Sequence, residues 1–368
     1  LNIETQAASP AAPFSSFLNI PTPADVTAVK NELELKSISF YQQELKKVLP
    51  EEVFRRTPWR VTYLVAFLAI NVSLIAVVLT LDPAWYYKLL IAFAIGQLNS
   101  SIGFFAHETL HGSIVKSRFL QSLIGTIGLA PFLVSQTYWR FWHNNLHHGN
   151  TQLIYKDPDA FPTLSVYKRS KFMRFVFNLS PGSGGPLSYF YFFYWFSFQS
   201  IINQAYMRFK NKMWDSMDHR TVTIEFGAIC AAAVAYLWFI GLENILWLAI
   251  LPALVQNYVI LSYISTNHNI SPLTKINDPL ANSLTVTAHP AIEFFHLNFG
   301  YHVEHHLFPR VSCAHAKTIH KHLKEMYPEK YKTMPKWKAL KYLYQTPRIY
   351  KSSNELIHPK TLKTYPTI

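Results

Sequence analysis

Residues 61–81, VTYLVAFLAINVSLIAVVLTL, run for 21 residues without a charge. At about 1.5 Å per residue such a helix crosses a hydrocarbon core about 30 Å thick. Lipid leaves no other structure open to the segment, because backbone polar groups there must be satisfied within a helix or a closed barrel. Three more apolar blocks follow, at about 84–106, 221–240 and 244–265. The expected fold is therefore all-α and integral to a membrane, with four transmembrane helices. Lys and Arg set the orientation. With the N-terminus cytosolic, the links at Asp82-Pro83 and 241–243 face outward and every basic residue except Lys88 lies on the cytosolic side. Lys88, near the outer end of the second span, can snorkel. This bias explains much of the net charge of +13; anionic headgroups, an acidic protein partner and a phosphorylated substrate are further readings of it.

The stretch 119–135, FLQSLIGTIGLAPFLVS, is apolar but contains Gly125, Gly128 and Pro131, and is expected to be buried or interfacial rather than a crossing. The aromatic run 189–198 reads either as an interfacial segment or as a core helix packed on the spans. Residues 31–56 read as an amphipathic surface helix with Leu33, Ile38, Tyr41, Leu45 and Val48 on one side, preceded by a disordered tail over 1–30 without a signal-peptide pattern. No disulfide is expected between the two cysteines, Cys230 in the third span and Cys313 beyond the fourth. No internal repeat, phosphate loop or nucleic-acid module is present.

Nine of the 16 histidines fall in four clusters: His107 and His111 in HETLH, His143, His147 and His148 in HNNLHH, His268 in TNHN, and His302, His305 and His306 in HVEHH. A His-His pair preceded by another His three or four positions earlier is expected by chance only about 0.06 times in such a chain, and there are two. Imidazole ligates iron, zinc and copper. On a helix the pairs His107/His111, His143/His147 and His302/His306 each share a face, so each can chelate one ion. His148 and His305 lie about 140° and 60° off those faces and can reach a second. All four clusters fall at the cytosolic ends of the second and fourth spans or in cytosolic segments, so one shared centre of two ions is expected.

HETLH also fits the zinc-protease signature, in which Glu108 would activate water. That reading needs a third ligand, commonly an Asp in a later span, and leaves seven clustered histidines without a use. Haem needs ligands facing one another across a bundle, and a transporter needs ligands inside the spans; neither pattern is present. Glu108 reads either as the acceptor of a ligand imidazole N–H or as an ordinary helix residue. Asp157 and Asp159 in KDPDAF are expected either to accept such N–H groups or only to shape a turn. Asn267, His296 and Glu304 are further candidates for supporting the ligands, while His289, His219, His315, His320, His322 and His358 are expected to be solvated.

HETLH, WHNNLHH and YHVEHHLFP, in this order and topology, resemble the integral-membrane fatty acid desaturase and hydroxylase superfamily over roughly residues 55–325. The resemblance implies that the four transmembrane helices lie under a cytosolic helical cap carrying the histidine boxes, that the nine histidines hold a non-haem diiron centre, with no catalytic residue beyond the ligands, and that the reaction uses O2 and two electrons on a fatty acyl chain. It divides the chain into a desaturase-like domain over 31–325 and a basic cytosolic C-terminal tail over 326–368. The boxes depart from some branches: three residues intervene in the first, three in the second, and the third begins with His302 where front-end desaturases carry Gln. A desaturase is the first expectation, and a hydroxylase, an acetylenase or a terminal-alkene-forming enzyme the alternative. No fused cytochrome motif is present, since His289-Pro290 continues as Ala-Ile, so a separate ferredoxin or b-type cytochrome is implied. The basic stretch from Lys317 to Lys351, with Trp337, Tyr342 and Tyr344, is expected either to dock that donor or an acidic carrier protein, or to lie as a solvated helix on the membrane. The substrate can be linked to lipid, CoA or a carrier protein, and the membrane is the bacterial inner membrane or the endoplasmic reticulum. An apolar tunnel among the spans is expected to hold the acyl chain.

Overall fold

The computed structural model describes residues 34–368; the tail expected over 1–30 and Leu33 lie outside the described residues. Ser37 accepts from the Phe40 amide and starts α1 (Ile38–Lys46). The long helix expected over 31–56 is not formed. The chain turns after Lys46, and Pro50, which lacks an N–H, precedes a single short turn at Glu51–Phe54. Tyr41 and Leu45 pack with Val303, Leu307 and Leu323, whereas Val48 is 46% exposed.

α2 (Val61–Leu81) matches the first span and stops at Asp82, whose φ of 43° is left-handed. α3 (Trp85–Leu110) follows, and Lys88 in its first turn pairs with Asp82. This helix runs four residues beyond the expected end at Ala106, because nothing breaks it before Gly112 at φ 82°. HETLH is thereby carried on the span itself. α4 (Arg118–Leu129) packs on α3 so closely that a Cβ at Gly128 would lie 2.4 Å from the Ala106 Cβ. The path then bends by 97° into the helix α5 (Gln136–Asn150). The 119–135 stretch thus ends in a near right-angle bend instead of running straight on, and HETLH and HNNLHH meet at the same end of the spans.

Two short helices, α6 (Leu164–Arg169) and α7 (Lys171–Leu179), precede α8 (Tyr191–Ala205). α8 carries the aromatic run, buries Tyr191, Phe192 and Trp195 and packs on the fourth span, as the core-helix reading expected. α9 (His219–Ile240) and α10 (Leu246–His268) complete the four helices long and apolar enough to cross a membrane. α3 and α10 bury 61% and 56% of their apolar windows, against 22% and 11% for the first and third spans. They form the inner pair, and Gly96 permits their approach, since a Cβ there would meet Val255 at 2.5 Å.

After α10 come α11 (Pro279–Asn282), β1 (Thr285–Thr287), α12 (Pro290–Phe295), α13 (His302–Leu307) and α14 (Ala316–Met326). β2 (Thr333–Pro335) pairs in parallel with β1, α15 (Lys336–Gln345) packs on α10, and β3 (Tyr350–Ser352), β4 (Glu355–Ile357) and β5 (Thr364–Pro366) form an antiparallel sheet. The residues read as a tail from 326 are thus woven into the body. Arg348 is fully buried and donates to the Asn269 and Thr346 carbonyls. Tyr350 donates to the Ser271 carbonyl at 2.7 Å. Both cysteines are free, Cys313 buried and Cys230 half-buried.

Candidate metal centre

His107 and His111 close the last turn of α3, His268 ends α10, HNNLHH lies on α5 and HVEHH forms α13. The four elements meet at one end of the bundle, and the nine imidazoles form two groups. His107, His111, His143, His148 and His305 make the first, and His147, His268, His302 and His306 the second; within each, ring nitrogens lie within 4.8 Å of one another.

The partition differs from the expected one at the second box. His107/His111 and His302/His306 keep their helical pairing, and His305 joins the other group as its angular offset predicts. His143 and His147, expected to chelate one ion, are separated. The reason is local: Arg140–His147 is π-helical, and the His148 amide donates to the His143 carbonyl five residues back. In that winding i and i+5 become neighbours, so His148 joins His143 and His147 turns to the second group.

The nitrogens converge without enough protons to join them. Burial pushes the pKa of His111, His143, His148, His302 and His306 well below the usual imidazole range, and burial with His147 nearby pushes His305 down to about 3. A neutral imidazole has one N–H. Yet His143 Nε2 faces both His107 Nε2 at 2.9 Å and His148 Nε2 at 3.1 Å, and His268, His302 and His306 set their Nε2 atoms 2.8 to 3.2 Å apart. His107 Nδ1, His111 Nε2 and His302 Nδ1 are buried with no hydrogen-bond partner among the described residues. Crowded nitrogen lone pairs of this kind suit a cation in each group, and an all-nitrogen donor set suits iron, copper or zinc.

His147 is held from behind. Its Nδ1 donates to Asp157 at 3.0 Å, with Asp159 at 3.4 Å. Burial opposes its charged form, but the two carboxylates outweigh that and raise its pKa. This bond leaves Nε2 for the second group. Asp157 in turn accepts from the Gln152 and Asp159 amides, and Asp159 from Trp142 Nε1.

The other supporting candidates point elsewhere. Glu108 forms a buried ion pair with Arg60 and accepts from Ser312 Oγ and the Cys313 amide, with no hydrogen bond to an imidazole among the described residues. Glu304 accepts from Thr285, His320 and Tyr331, so His320 is not a solvated residue. His296 bonds Tyr263 and Gln97. Asn267 offers its carbonyl to the Leu284 amide, and its buried side chain has no hydrogen-bond partner among the described residues.

An apolar cavity of about 260 Å³ opens onto both groups, touching His107 and His143 of the first and His147, His268 and His302 of the second. Phe104, Phe132, Trp195, Ile260 and Phe299 line it, and it lies among α3, α8 and α10.

The fatty acid desaturase model matches residues 83–337, which include all nine histidines. The chain belongs to the fatty acid desaturase family. It is 23% identical over 266 residues to the chloroplastic omega-6 fatty acid desaturase of Spinacia oleracea, covering 67% of this chain and 56% of that one. It is 29% identical over 130 residues to the sn-1 acyl-lipid omega-3 desaturase (ferredoxin) of Synechocystis sp., covering 34% and 35%. With the sn-1 oleoyl-lipid 12-desaturase of the same organism, identity is 23% over 297 residues, covering 77% and 81%. The aligned part spans little more than half of the first relative and about a third of the second.

In this member of the desaturase family two supports escaped the sequence reading. Thr151 Oγ1 lies 3.2 Å from His306 Nδ1. Glu225 of α9 accepts from Ser135 Oγ, Gln136 Nε2, and the Thr137 amide and hydroxyl, all within 3.0 Å, and so anchors the start of α5. The available signal was a lone carboxylate within a span, which needs partners to be tolerated. Asp157→Asn is expected to weaken metal binding about 10–100-fold by loosening the His147 ring. Titration of metal-free protein with Fe(II) measures this, and unchanged affinity would show that the Asp157 bond does not orient His147.

Proposed function

We propose that this chain is an oxygen-dependent fatty acyl desaturase that holds two irons on the nine histidines, five on one and four on the other. The observation that carries the reading is the opening of one apolar cavity onto both buried imidazole groups. When bound there, the irons supply the capacity to reduce O2 with two electrons and two protons while a CH2–CH2 pair loses two hydrogens, giving C=C and two waters. The chain itself supplies position and dryness. Aromatic and aliphatic walls immobilise the acyl chain and keep bulk water from the reacting carbons, and Asp157 with Asp159 fixes the orientation of His147.

A family containing desaturases and the loss of Glu108 to Arg60 both speak against the zinc protease. Hydroxylation, acetylenation and terminal-alkene formation differ in product. Purified protein should contain about two Fe per chain and convert an isotope-labelled acyl substrate to a product two hydrogens lighter under 18O2. Label from 18O2 in the product would make it a hydroxylase. One Zn, no Fe and anaerobic hydrolysis would restore the protease.

In this reading the enzyme is a multi-pass membrane protein whose site faces the cytosol, in a bacterial inner membrane or the endoplasmic reticulum, and electrons arrive from a separate ferredoxin or b-type cytochrome. One relative bears ferredoxin in its name. Within the basic stretch several cations are engaged: Lys330 pairs with Asp278, Lys351 with Glu355, and Lys336 lies 3.0 Å from the Tyr263 ring centre. Lys321 and Lys324 remain exposed on α14, whose Ala316 and Ile319 line a small void shared with His305. Lys321→Glu with Lys324→Glu is expected to lower kcat/KM for an acidic donor about tenfold at low salt, less at high salt. Turnover with a small chemical reductant should not change. An unaltered donor dependence would place docking elsewhere.

A further inference from the structure

The acyl cavity has an opening. Phe172 of α7 and Phe198 of α8 both line it, yet they are 52% and 43% exposed, so they stand at its mouth. The surface around the mouth is not built for water. α7 turns Val176, Phe177 and Leu179 inward but also presents Phe175 outward beside Phe172. Tyr189 and Phe190 before α8, and Tyr206 and Phe209 after it, are exposed too. Phe209 stacks on His219, the first residue of the span α9, at 5.6 Å, and α9 goes on to expose Ile224, Val234 and Trp238. The exposed apolar surface of a membrane-spanning helix therefore continues to the rim of the cavity. A charged fringe accompanies it: residues 160–214 carry Lys or Arg at seven positions and no Asp or Glu. Lys168, Lys171, Lys210 and Lys212 of this set are exposed. Apolar side chains bordered by exposed cations suit the boundary between acyl tails and anionic headgroups.

We propose that the substrate enters sideways from the bilayer, between α7 and α8 past Phe172 and Phe198, while still esterified to a phospholipid whose phosphate rests on the Lys168, Lys171, Lys210 and Lys212 fringe. The proposal rests on reading the cavity as the acyl site, and its test has one arm that needs no catalysis.

Full-length protein lacking Cys230 and Cys313 receives Phe172→Cys or Phe198→Cys, each bearing a nitroxide, in phosphatidylglycerol vesicles. Both labels should be relaxed strongly by oxygen and weakly by a water-soluble nickel chelate; strong relaxation by nickel at either position overturns the portal. In the second arm, iron-loaded protein is given acyl chains in phosphatidylglycerol, in a neutral glycolipid, or as a soluble thioester. The expected result is product retained on phosphatidylglycerol, with at least a tenfold loss of kcat/KM when Phe172→Trp narrows the mouth. Turnover of the thioester alone overturns lateral entry and leaves the desaturase reading standing. Equal turnover of the neutral glycolipid overturns the phosphate contact. Lipid-facing labels with no oxidation of any of the three substrates would confirm a bilayer-facing mouth and count against the desaturase reading itself.

Discussion

Replacing His147 with Ala should strip iron from the four-histidine group and lower turnover more than about a hundredfold, beyond the range of a supporting residue. Two losses combine. The group falls from four imidazoles to three, and Asp157, buried and bonded to His147 Nδ1 at 3.0 Å, keeps a carboxylate without its imidazole partner. His305→Ala should also remove iron and turnover, from the five-histidine group, without leaving such a carboxylate behind. Metal content per chain, turnover and membrane insertion are measured together, because only a ligand role predicts loss of the first two with retention of the third. Full activity in either variant would show that assignment to be wrong. Iron-specific reconstitution is part of the measurement, since histidine-rich sites accept zinc readily.

Glu108→Gln should destabilise the protein by about 3–5 kcal/mol, the cost of leaving one member of a buried ion pair without its partner. Arg60 and Glu108 are 3% and 2% exposed, so water cannot take over for the missing charge. Arg60 also donates to Ser312 Oγ, and Glu108 accepts from the Cys313 amide, so the pair ties the entrance of the first span to HETLH and to the loop after HVEHH. Removing both charges, as Arg60→Met with Glu108→Leu, should recover most of the stability, because two desolvated charges are then absent together. Thermal unfolding in detergent measures the series. A catalytic glutamate would behave in the opposite way, with Glu108→Gln stable and inactive.

Much of the site was legible as spacing. His107/His111 and His302/His306 stand four apart on ordinary α-helix, and His305 lies off that face, so one helical pitch places all five. The buried partners were less legible, because each comes from far along the chain. Glu108 meets residues 60, 312 and 313; Glu304 meets 285, 320 and 331. Gln152 joins the His268 carbonyl to Tyr350, and so draws the C-terminal residues into the centre. A basic composition suggested a tail there, but composition does not reveal that Arg348 finds carbonyls to bond inside the fold.

The sequence by itself determined the four helices long and apolar enough to span a membrane and the four histidine clusters that gather at one end of them, because hydrophobic length and residue spacing are properties of short segments. Only the tertiary structure decided which imidazoles share a group. HNNLHH reads as two histidines on an α-helical face, yet in the fold, with Glu225 bonded to the start of α5 and Asp157 to His147, Arg140–His147 is wound as a π-helix. The local shift from i+4 to i+5 hydrogen bonding exchanges His147 for His148 between the groups, and backbone winding of that kind responds to packing rather than to residue spacing.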